Sequence, residues 1–399
     1  MMSEKAGKID LVLGIPSFNE ADNIRFVAHQ LAVGALRYFP DLSSLIINLD
    51  NDSPDNTKEV FLSSNTEGVP KKYISTEKGV VGKGNNLRNL FLEVDRLEPK
   101  AVVMVDADLK SITPEWVKIL ALPVLQGHDY VTPVYSRNEY DGTITNNICY
   151  PLIYGLFQTD IRQPIGGDVA FSSKMARYWL DMEWKENTSQ YGIDIFMTTT
   201  ALLNGFKLCQ VELGAKIHKP SAPKLGPMFS QVVATLFENI SCFKEPWMTK
   251  SSPKRSPVFK GSHYQEPQSL PIDYKEIKKK SLEGFSHMEH MISTILIPSH
   301  FSEVKRMYDR KRWNIGSRLW AEILYTFVYA YDKTEDKETL IEALKPLYFA
   351  RAASFFRETM ELDHKDAEKK IRKQAFHFRK TRDLLVKRFH RDDHRHSIN

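Results

Sequence analysis

Cysteine is scarce in this chain: Cys149, Cys209 and Cys242 are the three among 399 residues, and no two form a Cys-x-x-Cys pair. That spacing argues against a disulfide framework and a structural zinc site, and it fits reduced core thiols. Long apolar runs are also missing. The greasiest later stretch, 321–330, is rich in tyrosine and shorter than the roughly 20 apolar residues that a bilayer crossing needs, so no membrane span is expected. The residues before Pro16 lack the continuous apolar region of a signal peptide, which leads to an expectation of a cytoplasmic protein. An excess of one charge is absent as well: 55 Lys and Arg against 50 Asp and Glu leave a formal +5, too little to argue for nucleic acid. There is no internal repeat and no Gly-x-x-x-x-Gly-Lys-Ser/Thr, which removes solenoids and P-loops.

What is present is an alternation of short apolar runs with helical patterns, the mark of a sheet covered by helices. Strands are expected at 9–15, 45–49, 72–75, 102–105, 130–135 and 208–213. Ile24, Ala28, Leu31, Ala35 and Leu36 fall at helical spacing, as do Leu87, Leu90, Phe91, Val94 and Leu97. A further helix is expected to open after Thr113-Pro114, and another to run from Gly192 to Asn204 and stop at Gly205. Between 245 and 271 the pattern dissolves into Pro, Ser and Lys, so the expected division is a catalytic domain over 1–244, a linker over 245–271 and a helical domain over 272–399. The last segment, 367–395, is dense in Lys and Arg but carries Ile371, Ala375, Phe378, Leu385 and Phe389, which reads as a solvated helix packed on its neighbours.

Asp106-Ala107-Asp108 closes the apolar run Ala101 to Val105. Two carboxylates one residue apart at a strand end can hold a hard divalent cation, although such triplets also occur as plain turns. Three other elements could join them. Gly14-Ile15-Pro16-Ser17-Phe18-Asn19-Glu20 is a polar loop leaving a strand, where open α/β sheets bind ligands. Asp50-Asn51-Asp52-Ser53 offers carboxylates to a ribose hydroxyl or a base. Gly82-Lys83-Gly84 heads a helix, where glycines would let the backbone approach a phosphate beside the lysine charge. His218 follows the last strand, and one imidazole with oxygen ligands suits manganese or magnesium better than a thiolate metal.

These motifs, with Gln163-Pro164-Ile165-Gly166-Gly167-Asp168 and Tyr191-Gly192-Ile193-Asp194, stand in an order that resembles GT-A glycosyltransferases of the mannosylglycerate synthase and glucosyl-3-phosphoglycerate synthase type. The resemblance implies an α/β GT-A fold, a Rossmann-like mixed sheet flanked by helices, with a C-terminal helical domain. It implies transfer of glucose or mannose from a GDP- or UDP-hexose to a small carboxylate acceptor, 3-phosphoglycerate or D-glycerate, with retention. Asp108 and His218 would bind Mg2+ or Mn2+, and Lys83 a phosphate oxygen. Pro16, Ser17, Glu20, Asp50 and Asp52 would frame the nucleoside. Asp106, Gly166, Gly167 and Asp168 would meet the ribose or sugar, with the Ile165 carbonyl facing the anomeric centre. Arg137, Thr143, Thr145 and Lys219 would take the acceptor, and Asp194 would position acceptor and sugar. The family's phosphoglycerate members carry an arginine where this chain has Thr143 and another where it has Lys219; Lys216, Lys219 and Lys224 could compensate. A homodimer is compatible with this pattern. The alternatives left open are an inverting family 2 enzyme acting on a lipid phosphate or polysaccharide, and a nucleotide-sugar-binding protein without turnover.

Overall fold

The structure, a computed structural model, describes residues 8–219, 225–249, 254–261, 265–267, 270 and 272–396. Eight strands form one sheet: β1 Leu11–Ser17, β2 Ser44–Asp50, β3 Lys71–Ser75, β4 Ala101–Met104, β5 Tyr130–Ser136, β6 Val169–Phe171, β7 Leu208–Ala215 and β8 Val258–Phe259, in the order β3-β2-β1-β4-β6-β5-β7-β8. Neighbours pair in parallel except that β6 runs antiparallel to both β4 and β5. The carboxyl ends of β1, β2, β4, β5 and β7 and the start of β6 therefore share one edge.

Strand alternation sorts the core. On β1, Leu11, Leu13 and Ile15 join Val103, Val105 and the helices Ile24–Tyr38 and Glu115–Leu125 on one face, while Val12 joins Val102, Met104 and the helices Lys83–Leu97, Ser173–Asp181 and Ile193–Leu203 on the other. Both faces are covered, which is why the parallel strands read as unbroken apolar runs. The expected mixed α/β sheet is the one found. β6 and β8, three and two residues long, were not expected, since neither is long enough to display a period. Leu36 turns outward, 45% exposed, and Pro114 itself precedes the first turn of Glu115–Leu125 without a side-chain cap from Thr113. Of the cysteines expected in the core, Cys149 and Cys209 are buried and Cys242 is exposed.

The chain divides into two compact units that interleave in sequence: Met1–Arg137, Ile165–Lys224 and Ser256–Pro267 carry the sheet, and Asn138–Pro164, Leu225–Arg255 and Gln268–Asn399 form the helical unit. This differs from a single cut within 245–271. Residues 138–164 leave the sheet unit because they wind into a helical stretch with π turns at Thr145–Cys149 and Ile153–Phe157, whose polar groups are met by helices from the carboxyl-terminal part. Gln374 Nε2 donates to the Asn146 carbonyl at 2.9 Å, and Trp320 Nε1 to the Asn147 carbonyl at 2.6 Å. In the helix His364–His396, Ile371, Ala375, Phe378, Leu385 and Phe389 are all buried, as the amphipathic pattern predicts. No described helix is long and apolar enough to cross a membrane.

Arg162 and Glu368 tie this unit together through a forked pair, with Arg162 Nη2 donating to Glu368 Oε2 at 2.8 Å and Nε to Oε1 at 3.0 Å. Burial opposes the Glu368 charge, but Arg162 and Arg372 outweigh it and hold its pKa below the ordinary value of 4.5. A depressed folded pKa contributes stability that is present above the ordinary value and lost as pH falls through the folded one. Glu368→Gln is expected to destabilise the helical unit by about 1–3 kcal/mol near neutral pH in urea unfolding, with the deficit shrinking as the pH is lowered. A pH-independent deficit would contradict the ionic origin.

Candidate active site

Asp106 is the charged centre of the shared edge. Lys83 Nζ, from the first turn of Lys83–Leu97, donates to Asp106 Oδ1 at 2.9 Å, and Lys216 Nζ, just past β7, donates to Asp106 Oδ2 at 2.9 Å. Burial opposes the Asp106 charge, yet Lys216 and Lys83 reverse the effect and hold its carboxyl far below the usual carboxylate range. For Lys83 burial likewise opposes the charge, and Asp106 with Asp194 outweighs it, raising the pKa. Lys216 behaves in the same way between Asp106 and Asp168.

Asp168, at the entry to β6, is fully buried and spends both oxygens within the protein. Its Oδ1 accepts from the Asp106 backbone N–H at 2.9 Å, and its Oδ2 accepts from Lys216 at 2.8 Å and from the Tyr135 hydroxyl. The Gly166 carbonyl accepts from Lys216 at 2.9 Å and from Tyr135 at 3.0 Å. Gly167 has φ +78°, and a Cβ there would stand 2.3 Å from Asp106 Oδ2, so no larger residue fits. Asp168 and Gly166 thus hold Asp106 in place, and half-buried Ile165 precedes them.

Asp108 and His218 come together, with Asp108 Oδ2 at 4.0 Å from His218 Nδ1. On the other side of the ring, Arg137 Nη2 lies 3.5 Å from His218 Nε2. Burial, then Asp106, raises the Asp108 pKa, with Lys216 and His218 in opposition. Asp194, in the first turn of Ile193–Leu203, accepts from Lys83 on Oδ2 at 3.1 Å, while its buried Oδ1 has no hydrogen-bond partner. Burial raises its pKa against the pull of Lys83.

The two loops expected to frame a nucleoside are knitted to each other. Asp50 Oδ1 accepts from Ser17 Oγ at 2.6 Å and Ser53 Oγ at 2.7 Å, and its Oδ2 from Ser53 N at 2.8 Å and Tyr73 Oη at 3.0 Å. Ser17 and Asp50 therefore brace the loops, whereas Asp52 is exposed with φ +54°. Pro16 lies within buried β1. Glu20 pairs with Lys219 at 2.7 Å, and Lys219 also reaches Asp22 at 2.7 Å. The structure thus sets Lys219, expected to take the acceptor, beside two carboxylates at the end of the Pro16 to Glu20 loop and just past it. Thr143 and Thr145 belong to the helical unit, where Thr143 Oγ1 is 2.5 Å from the Tyr348 hydroxyl and Thr145 is buried. Lys216 is enclosed by its three acceptors, and Lys224 lies outside the described residues. The glycines at 82 and 84 serve packing: a Cβ on Gly82 would stand 2.4 Å from the Ser189 carbonyl oxygen, and one on Gly84 2.1 Å from that of Thr188.

Lys216 was expected only as a substitute for an acceptor-binding arginine and Tyr135 was not expected at all; Lys216 follows directly on β7 and Tyr135 is near the end of β5, so both stand at the edge where the strands finish.

Residues 13–180 match the model of glycosyl transferase family 2. The chain carries a family 2 glycosyltransferase domain. No curated protein matches it. Among solved structures it is similar to glucosyl-3-phosphoglycerate synthase from Mycobacterium tuberculosis in complex with phosphoglyceric acid, at 24% identity over 59% of this chain and 81% of that one, with a TM-score of 0.46. The complex of that enzyme with Mn2+, UDP and glucosyl-3-phosphoglycerate gives 25% identity over 59% and 81%, with a TM-score of 0.47. A mycobacterial protein gives 26% identity over 59% and 76%, with a TM-score of 0.46.

Lys216 neutralises the buried Asp168 and the partly exposed Asp106, so Lys216→Met is expected to cost about 3–5 kcal/mol in unfolding free energy, the usual penalty for leaving a buried charge uncompensated. Thermal unfolding of the variant checks this, and an unchanged midpoint would exclude a bracing role.

Proposed function

We propose that the domain moves a hexose, glucose or mannose, from a GDP- or UDP-hexose to 3-phosphoglycerate or D-glycerate with retention at the anomeric carbon, using Mg2+ or Mn2+. The observation that carries this is the approach of Asp108 Oδ2 to His218 Nδ1 at 4.0 Å. Two atoms each about 2.1 Å from one ion lie about 3–4 Å apart, so the pair fits a shared cation. The chemistry fits too. Asp106 has its charge met by two lysines, while Asp108 has a raised pKa and the His218 imidazole beside it. Among the described residues no group of three or more His, Cys, Asp or Glu side chains assembles around a point, so further ligands would come from substrate oxygens and water. When bound, the cation would supply Lewis-acid neutralisation of the leaving diphosphate.

The chain's own groups supply the rest. Lys83 releases Asp106 or Asp194 to take a phosphate oxygen. The unpartnered Oδ1 of Asp194 accepts a hydrogen bond from a substrate hydroxyl, which its buried setting makes strong. Arg137, beside His218, offers its fork to the acceptor carboxylate. The same oxygen of Asp194 is what an inverting enzyme would use as a general base, so retention and inversion are separated by proton NMR of the fresh product: an anomeric configuration equal to the donor's supports the proposal.

Asp108→Ala and His218→Ala are each expected to lower transfer by about a hundredfold or more, with far-ultraviolet circular dichroism unchanged, because Lewis-acid stabilisation is worth several kcal/mol. Both should also lose Mn2+ binding in titration calorimetry. Undiminished turnover by either variant, with a chelator control run beside it, would falsify the metal assignment.

A further inference from the structure

The helical unit contains a cavity of about 410 Å³ that the glycosyl transfer just described does not use. Lys254, Arg255, Arg372 and Arg379 line it, and Asp160 is the one carboxylate in its wall. Four cations against one anion is a strong local bias in a chain whose overall charge is nearly balanced. The volume falls within the ~300–1,000 Å³ of small-molecule sites.

Two of the four cations, Arg372 and Arg379, are held in place before any ligand arrives. Arg372 Nη1 donates to Asp160 Oδ2 at 3.2 Å and its Nε pairs with Glu368 Oε1 at 2.9 Å, which fixes the guanidinium plane. The other oxygen of Asp160 accepts from the Tyr150 hydroxyl at 3.0 Å, so the single acid in the wall is already engaged on both sides. Arg379 stacks with its guanidinium carbon 5.5 Å from the Tyr154 ring centre and 4.9 Å from that of Phe376. The Lys254 backbone is pinned by its N–H donating to the Gln158 carbonyl at 2.8 Å and its carbonyl accepting from Asp160 N–H at 3.4 Å. That leaves the side chains of Lys254 and Arg255 exposed at the cavity. Fixed donors lose little freedom when they meet an anion, which is the condition for useful affinity from a few contacts. The lining holds no aliphatic side chain, which disfavours insertion into a lipid layer and favours a small polar ligand.

We propose that this cavity binds a small polyanion, a phosphorylated compound with at least two anionic groups, separately from the donor and acceptor of the transferase centre. The site is independent of the choice of hexose or acceptor.

Pyrophosphate is the probe, titrated calorimetrically into the full chain with EDTA present to suppress metal-dependent binding elsewhere. The wild type should bind it with an affinity that falls as salt is raised. Lys254→Glu combined with Arg255→Glu alters two exposed residues and should weaken binding by about tenfold or more, since hydrogen bonds to charged groups are worth about 1.5–3 kcal/mol. Lys83→Met, in the transferase centre, should bind as the wild type does. Unaltered binding by the double variant, loss of binding in Lys83→Met, or no heat at millimolar pyrophosphate overturns the proposal. So does co-sedimentation with phosphatidylserine-containing vesicles when pyrophosphate gives no heat, an outcome that would make the patch a membrane contact.

Discussion

Asp106 sits between the ammonium groups of Lys83 and Lys216, and the arrangement of the strand ends follows from keeping these largely enclosed charges together. A buried ion without its partner costs several kcal/mol, whereas an ordinary internal hydrogen bond contributes about 1 kcal/mol net. The network therefore outweighs any single contact around it. It draws on the end of β4, the start of β6, the exit of β7 and the first turn of Lys83–Leu97, so each of these must arrive in register. Gly167 is the place where this shows most plainly, because the space a side chain would need is filled by the Asp106 carboxylate.

The sheet makes that convergence possible through one reversed strand. In a parallel sheet the carboxyl ends of strands and the starts of their neighbours lie on opposite edges. β6 runs against β4 and β5, which brings its amino end, with Gly166, Gly167 and Asp168, to the edge where the apolar strands finish. Asp168 can then accept the Asp106 backbone N–H and compete with Asp106 for Lys216, orienting both. Asp108, two residues further on, is left outside this compensation. Its neighbour is the His218 imidazole, and this approach is what the proposed cation site rests on.

The helical unit follows a different economy. Its carboxyl-terminal helix buries a stripe of Ile371, Ala375, Phe378, Leu385 and Phe389, and Arg382 turns inward with them to donate to the Trp247 and Thr249 carbonyls. Buried polar groups are met by specific partners: Arg351 donates to Glu358, Gln374 and the Ile315 carbonyl, and is only 1% exposed. Around the cavity Arg372 is met by Asp160 and Glu368, while Lys254, Arg255 and Arg379 add cations beyond the one carboxylate of its wall, the excess on which the proposed anion site rests.

Much of the architecture was legible in the sequence, since six of eight strands and the main helices have periods that are local properties of the chain. That Asp106, Asp108, Lys83, Asp194 and His218 gather at one edge of the sheet was also legible, because each sits at or just past a strand end or at a helix start where side chains must leave the core. Their division of labour was not. The fold surrounds Asp50 and Asp168 with donors, Lys219 turns to Glu20 and Asp22, and the glycines at 82 and 84 make room for 188–190. Periodicity and residue type alone determined which segments become strands and helices and which polar residues stand at their ends. Which carboxylate is neutralised and which is left wanting a cation was decided by tertiary structure, because that depends on the distance to a lysine 110 residues away, 2.9 Å in the folded chain and without meaning along it.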